Sequence, residues 1–204
     1  MRDTRRVDQL RVAFAPGVTP DKWKKVWRER HPRLPLSLIP IEAGEGREVL
    51  DEDRADMALL RLPVDRERPS ALHAVTLYDE LPVVVVARDH WVAAAGERDE
   101  IPLADLAGEQ LVLPHPSGWA PDVEQLAFPP MTVKEAIEVA ASGTGVAIVP
   151  MSMARLYRRK DATHRVVAGL DPTQVALVWP RDADSPLHQD FVGVVRGRKA
   201  SSSR

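Results

Sequence analysis

The chain has 204 residues, 44% of them apolar, with 28 basic and 30 acidic side chains and a formal net charge of -2. This size and composition describe a folded globule with one core or two small lobes, and no global positive field draws the chain to nucleic acid or an anionic membrane. Cysteine is absent, which excludes disulfides, thiolate nucleophiles and thiolate metal ligands.

The charged start, Met1 to Arg6, leads into a single six-residue strand-like run, Leu10–Ala15, and no later apolar stretch approaches membrane-spanning length. A cytoplasmic location is therefore expected. Pro16 to Pro20 supplies a turn, an N-cap at Thr19 and a proline at the first helical position, so a helix is expected from about Pro20 to Arg30. Leu36 to Ile41 reads as a second strand and Glu45 to Asp53 as a second helix. Ala55 to Leu62 reads as a third strand, apolar almost throughout, as a strand covered on both faces should be. This alternation implies a parallel sheet. Between Leu72 and Ala87 two strand-like runs follow each other with no helix between them, so the chain is expected to reverse or cross over here. A second alternating set follows, with a short helix at Leu103–Ala107, a strand at Gln110–Leu113, a helix at Val133–Ser142, a strand at Val146–Val149 and a helix at Ser152–Arg158. Strands at Thr163–Val167 and Gln174–Trp179 and a helix at Pro186–Val195 close the pattern. The tail from Arg196, with four basic residues and three serines, is expected to be disordered.

Chemistry-bearing patterns are sparse. Thr132 and Glu135 have the spacing of a capping box, and the helix starts after Thr19 and Thr132 present free amides and a partial positive charge that suit a carboxylate. Ser142–Gly145 contains a G-x-G, but it follows a helix and precedes a strand, the reverse of a phosphate-binding order, and reads as a helix end and tight turn. The six histidines show no metal-ligand spacing, so neither a metal nor a cofactor is expected. His115, between two prolines at a strand end, is placed either as a ligand contact or as a plain loop histidine. The acidic run Asp51–Asp53 reads as a solvated helix end. No nucleophile elbow or catalytic constellation is present, so no enzyme is expected; a facing pair such as Glu45 and His115 would reopen that question. Trp23 and Trp27 share a helix face, Trp27 suiting the core and Trp23 a core or subunit-interface role.

Several segments in order resemble the effector-binding domain of LysR-type transcriptional regulators, a fold related to type 2 periplasmic solute-binding proteins. "LRVAFAPG" is similar to that family's opening strand, "WRERHPRLPLSLIP" to its first helix end and second strand, and "VLDEDRADMALLRLP" to its next helix and strand. "LYDELPVVVVARDHW" resembles the hinge crossing, and "IPLADLAGEQLVLP" the following helix and strand. "IEVAASGTGVAIVP" resembles the helix and G-x-G-V-A turn, and "VALVWPRDADSPLHQDFVGVVR" the return strand and last helix. The resemblance spans residues 10 to 196.

It implies an α/β, two-lobed fold in which each lobe is a mixed, mostly parallel sheet flanked by helices, the lobes being linked by two crossing strands. The expected division is a tail at 1–9, subdomain I at 10–82 and 168–196, subdomain II at 83–167 and a basic tail at 197–204. A small, acidic effector is expected between the lobes, touched by Ala15, Pro16, Gly17, Val18 and Thr19, by Ala43, Gly44 and Glu45, by Arg61 and Leu62, and by His115 and Thr132. Arg61 could make a charge-assisted contact to an acid or a surface ion pair. Two departures stand out. Only nine residues precede the first strand, so the expectation is that this chain does not contact DNA itself and works as a homodimer or with a related regulator. The stretch from His115 to Met131 is also short, lacking a helix and a strand. An interaction subunit that pairs with full-length regulators through the Trp23 face is the competing expectation.

Overall fold

The computed structural model describes residues 8–65, 71–95 and 100–197. The expected tails at 1–9 and 197–204 therefore fall almost wholly outside the described residues. The chain divides into two compact units, one formed by 1–78 and 174–204 and the other by 79–173. These boundaries stand a few residues from those expected at 82/83 and 167/168, and the chain passes from one unit to the other twice.

The first unit is a five-stranded sheet in the order β2-β1-β3-β9-β4. β1 (Leu10–Phe14) pairs in parallel with β2 (Leu36–Pro40) and β3 (Met57–Arg61), while β9 (Thr173–Pro180) runs antiparallel to β3; β4 spans Leu72–Glu80. The period of two along β3 and β9 shows why these strands read as continuously apolar. Met57, Leu59, Val175 and Leu177 enter a core beneath α1 (Asp21–Arg30) and α5 (Pro186–Val195), built around Trp27 and Phe191. Ala58, Leu60, Ala176 and Val178 enter the opposite core with Val49 and Leu50 of α2 (Glu48–Asp51). α2 is shorter than the helix expected over 45–53: Asp53, with a positive φ of 55°, turns the chain out of the helix, and at Gly46 a Cβ would lie 2.5 Å from Leu60 Cδ2.

Two further expectations are corrected in this unit. Thr19 does not cap α1. Pro20 is the N-cap residue, with helical angles and no side-chain cap, and the Trp23 amide is satisfied by the Pro20 carbonyl at 3.0 Å, leaving Thr19 a residue too early and exposed. Trp23 is only 6% exposed and belongs to the core, so its ring is not a surface anchor.

The second unit is a four-stranded sheet in the order β6-β8-β5-β7. β5 (Pro82–Ala87) is flanked on both sides by antiparallel partners, β7 (Ala147–Pro150) and β8 (Ala162–Ala168), and only β6 (Glu100–Pro102) pairs in parallel, with β8. This sheet holds more antiparallel pairing than strand–helix alternation alone suggests. Val83 and Val85 face a core covered by α3 (Val133–Ala141) and α4 (Met151–Leu156), and Val84 and Val86 face a second core with Val92, Ile101 and Leu106. The helix expected at Leu103–Ala107 is a 3-10 turn at Leu103–Leu106. The strand expected at Gln110–Leu113 reduces to one parallel bridge between Leu111 and Val146.

Candidate functional site

Because β1, β2 and β3 are parallel, the segments that leave their C-terminal ends share one edge of the first sheet, where ligands of open α/β sheets gather. Pro16, Gly17, Thr19, Ala43, Gly44, Glu45, Arg61 and Leu62 all lie along this edge. Gly17 and Gly44 carry positive φ angles of 82° and 96°, conformations that favour glycine and keep the backbone uncovered. The Val18 side chain, by contrast, is buried in the core, and its amide bonds the Ala15 carbonyl at 3.1 Å, so Val18 has only its carbonyl to offer. Glu45 is also occupied locally. Its carboxylate accepts from the Glu42 amide at 2.9 Å, and its own amide donates to the Glu42 carbonyl at 3.3 Å, which closes the loop on itself. Arg61 is half-buried at the end of β3, and Leu62 N–H continues the ladder to Gln174 O at 2.8 Å.

In the second unit, residues 111–131 wrap a cavity of about 600 Å³, within the range of small-molecule sites. Its wall is almost entirely apolar, with Leu113, Trp119, Leu126, Phe128 and Met131 among its members; His115 and Gln125 are its polar side chains. This segment has no helix or strand to hold it; besides the backbone bonds Asp122 N to Ala107 O at 2.8 Å and Val112 N to Val146 O at 2.9 Å, two glutamine amides do that work. Gln125 Oε1 accepts from Leu111 N at 2.7 Å while its Nε2 donates to Glu109 O at 3.0 Å. Gln110 answers in the other direction, Oε1 accepting from Leu126 N at 2.8 Å and Nε2 donating to Glu124 O at 3.0 Å. The two side chains replace the ladder bonds a strand would have made, which is why 110–113 is no strand.

His115 Nδ1 accepts from the Ser117 amide at 3.2 Å and lies 2.8 Å from Ser117 Oγ. An Nδ1 that accepts leaves the ring proton on Nε2. Burial pushes the His115 pKa down, so the ring stays neutral and offers an Nε2–H donor. Thr132 adjoins the last lining residue, Met131, but is taken up by the helix start. Its hydroxyl accepts from the Glu135 amide at 3.3 Å and donates to Glu135 Oε2 at 2.8 Å, and the same oxygen accepts from the Thr132 amide at 2.7 Å. Those two hydrogen bonds hold the Glu135 pKa below the usual carboxylate value.

The family model described as the LysR substrate binding domain matches residues 6–200. The chain belongs to this family. Its fold is that of the family's solved effector-binding domains. A structure of the BenM effector binding domain with its effector benzoate superposes with a TM-score of 0.71 at 18% identity, covering 93% of this chain and 90% of that one. The oxidised form of OxyR superposes with a TM-score of 0.68 at 22% identity, covering 96% and 98%. Full-length BenM gives a TM-score of 0.70 at 20% identity, with 93% of this chain matching 66% of that one. No curated protein matches by sequence. Among the described residues no helix is long and apolar enough to cross a membrane, and no cluster of metal-ligating side chains forms.

The loop 107–132 shows where sequence reasoning fell short. The paired Gln110 and Gln125 were the available signal, but their exchange joins segments 14 to 16 residues apart and has no periodicity to reveal it.

Proposed function

We propose that this LysR-family domain senses a small organic effector with an apolar body and one or two acceptor oxygens, a carboxylate above all, as part of transcriptional regulation. The observation that carries the reading is the apolar cavity of about 600 Å³ at 111–131, where His115 contributes a neutral donor. Such a donor recognises a carboxylate or carbonyl oxygen without requiring a buried ion pair. Benzoate, the effector bound by BenM, has that shape: one ring and one carboxylate. The domain is read as a binding module and not an enzyme, since Glu45 and Thr132 spend their polar atoms on their own loop and helix start. In this proposal it works with a second copy or a related regulator, and DNA contact lies with that assembly and not with residues of this domain.

The test is a thermal-shift and calorimetric screen of aromatic and aliphatic carboxylates alongside their neutral amides. An acid that binds should lose about tenfold in affinity on His115→Ala, about 1.4 kcal/mol, as expected for one hydrogen bond. If no compound in the panel stabilises the domain at millimolar concentration, or if binding is indifferent to His115 and to Phe128→Ala alike, the reading fails.

A further inference from the structure

A second basin, also in the second unit, shares no lining residue with the cavity at 111–131. It has a volume of about 300 Å³ and a floor of Val85, Ile137, Ala154 and Ala162. Its rim is cationic, made by Arg88 beyond β5, Arg155 on the last turn of α4, and Arg158 and Arg159 beyond it, with the imidazole of His164 on β8 beside them. Asp161 neutralises one of these through a bidentate pair with Arg159 at 2.9 and 2.8 Å. Arg88 is anchored by its Nε, which donates to the Lys160 carbonyl, and by its amide, which donates to the Asp161 carbonyl at 3.1 Å. Arg155 and Arg158 have no carboxylate or hydrogen-bond partner among the described residues.

We propose that this basin binds a doubly charged oxyanion, a phosphate group either free or carried by a small molecule. Three observations support the choice. The guanidinium groups surround a concavity instead of lining a row, so they suit a compact anion better than the evenly spaced phosphates of a duplex. Guanidinium forks match phosphate geometry with paired hydrogen bonds, and Thr163 at the same rim adds a hydroxyl. The chain as a whole is slightly acidic, at -2, so this positive basin is a local arrangement and not a share of a general excess. The field inside is felt by His164, whose pKa is pushed down first by burial and then by Arg155, Arg165 and Arg158. An anion seated there would reverse the last three effects and raise the pKa of that ring.

The experiment is a titration of the whole chain with inorganic phosphate and with glycerol 3-phosphate at fixed ionic strength. It is followed by the His164 ring resonance and by calorimetry, with chloride and benzoate as controls. Saturable binding of either phosphate is expected, with the His164 ring moving toward its protonated shift. Binding should weaken at least tenfold in an Arg155→Gln/Arg158→Gln double variant whose unliganded melting temperature matches the parent. A phosphate ester that binds far more tightly than free phosphate assigns the apolar floor to the organic part; equal binding assigns the site to the bare ion. Three results would overturn the proposal: no saturable change at His164, phosphate binding unaffected by the double variant, or saturation by a short DNA duplex with none by either phosphate. His115→Ala should leave this binding unchanged, so failure here and failure of the effector reading are separable.

Discussion

Gly145 is the position where one methyl group would test how the cavity segment is held. A Cβ there would lie 2.4 Å from the Gln110 carbonyl oxygen, and 3.1 Å from both Gln110 Cβ and Val112 Cγ2. A carbon and a carbonyl oxygen settle no closer than about 3.3 Å, so Gly145→Ala must push the Gln110 backbone away by about 0.9 Å. That backbone makes the Val146 N–Gln110 O bond at 2.8 Å, and the adjoining Val112 N–Val146 O bond is 2.9 Å, so both are strained together. Overpacking costs about 1–3 kcal/mol and two weakened hydrogen bonds add about 1 kcal/mol, for a total of about 2–4 kcal/mol. The assay is urea unfolding followed by tryptophan fluorescence, where that loss moves the midpoint by about 1–2 M at a slope of about 2 kcal/mol/M. Exchange of the Val112 and Val146 amides gives the local readout. Gly108→Ala serves as the control, since nothing lies within 4 Å of a Cβ there. A Gly145→Ala protein within about 0.5 kcal/mol of the parent, with both amides still protected, would refute the reasoning.

Gln125→Leu should cost about 1–3 kcal/mol, because the Leu111 amide and the Glu109 carbonyl lose their partner at once; unchanged exchange at Leu111 would contradict it. Thr132→Val should lower stability by about 1 kcal/mol and Thr132→Ser should restore most of it, measured by thermal unfolding. Asp56→Asn removes the carboxylate that holds Arg11 at 2.7 Å through both its backbone amide and its guanidinium, and should cost about 1–2 kcal/mol, with a smaller loss at high salt. His188, 7% exposed, has its pKa pushed down by burial, so the folded state keeps a neutral ring where the unfolded chain takes up a proton. Stability from this group is therefore complete above about pH 6.5 and falls as the pH drops below that value, by at most about 1.4 kcal/mol per unit, until the folded pKa is reached. A His188→Gln variant with the same slope of stability between pH 5 and 6.5 as the parent, on the order of that maximum, would rule this out.

Much of the architecture was legible in the sequence because burial on both faces leaves a continuous apolar record. "ADMALLRL" and "LPVVVVA" could be little else than covered strands, and β3 and β5 are those strands. Where side chains took over the work of the backbone, the record failed. The glutamine exchange at 110 and 125 left a strand-like run with a single bridge. Three residues of β6, with only Ile101 buried, were too few to show a period. For the residues expected to contact an effector, the strand order indicated a place and not a role. Pro16, Gly17, Gly44 and Arg61 do lie on the strand-end edge of the first sheet, yet Val18 turns inward and Glu45 and Thr132 satisfy neighbouring amides. Of the cationic basin only the run Arg155, Arg158 and Arg159 stands together in the sequence, and its closure was not legible because Arg88 and Lys160 meet across 72 residues.

The glutamine exchange also separates two tasks that a strand would have combined. Its four hydrogen bonds fasten the segment at 109–111 and 124–126, at the stem, while the residues in between make up much of the cavity wall. Recognition can then drift while anchorage stays fixed. Substitutions from Pro114 to Ala120 can reshape what the cavity admits without altering how the segment is attached, and a related domain could acquire a new effector by changing that short stretch alone.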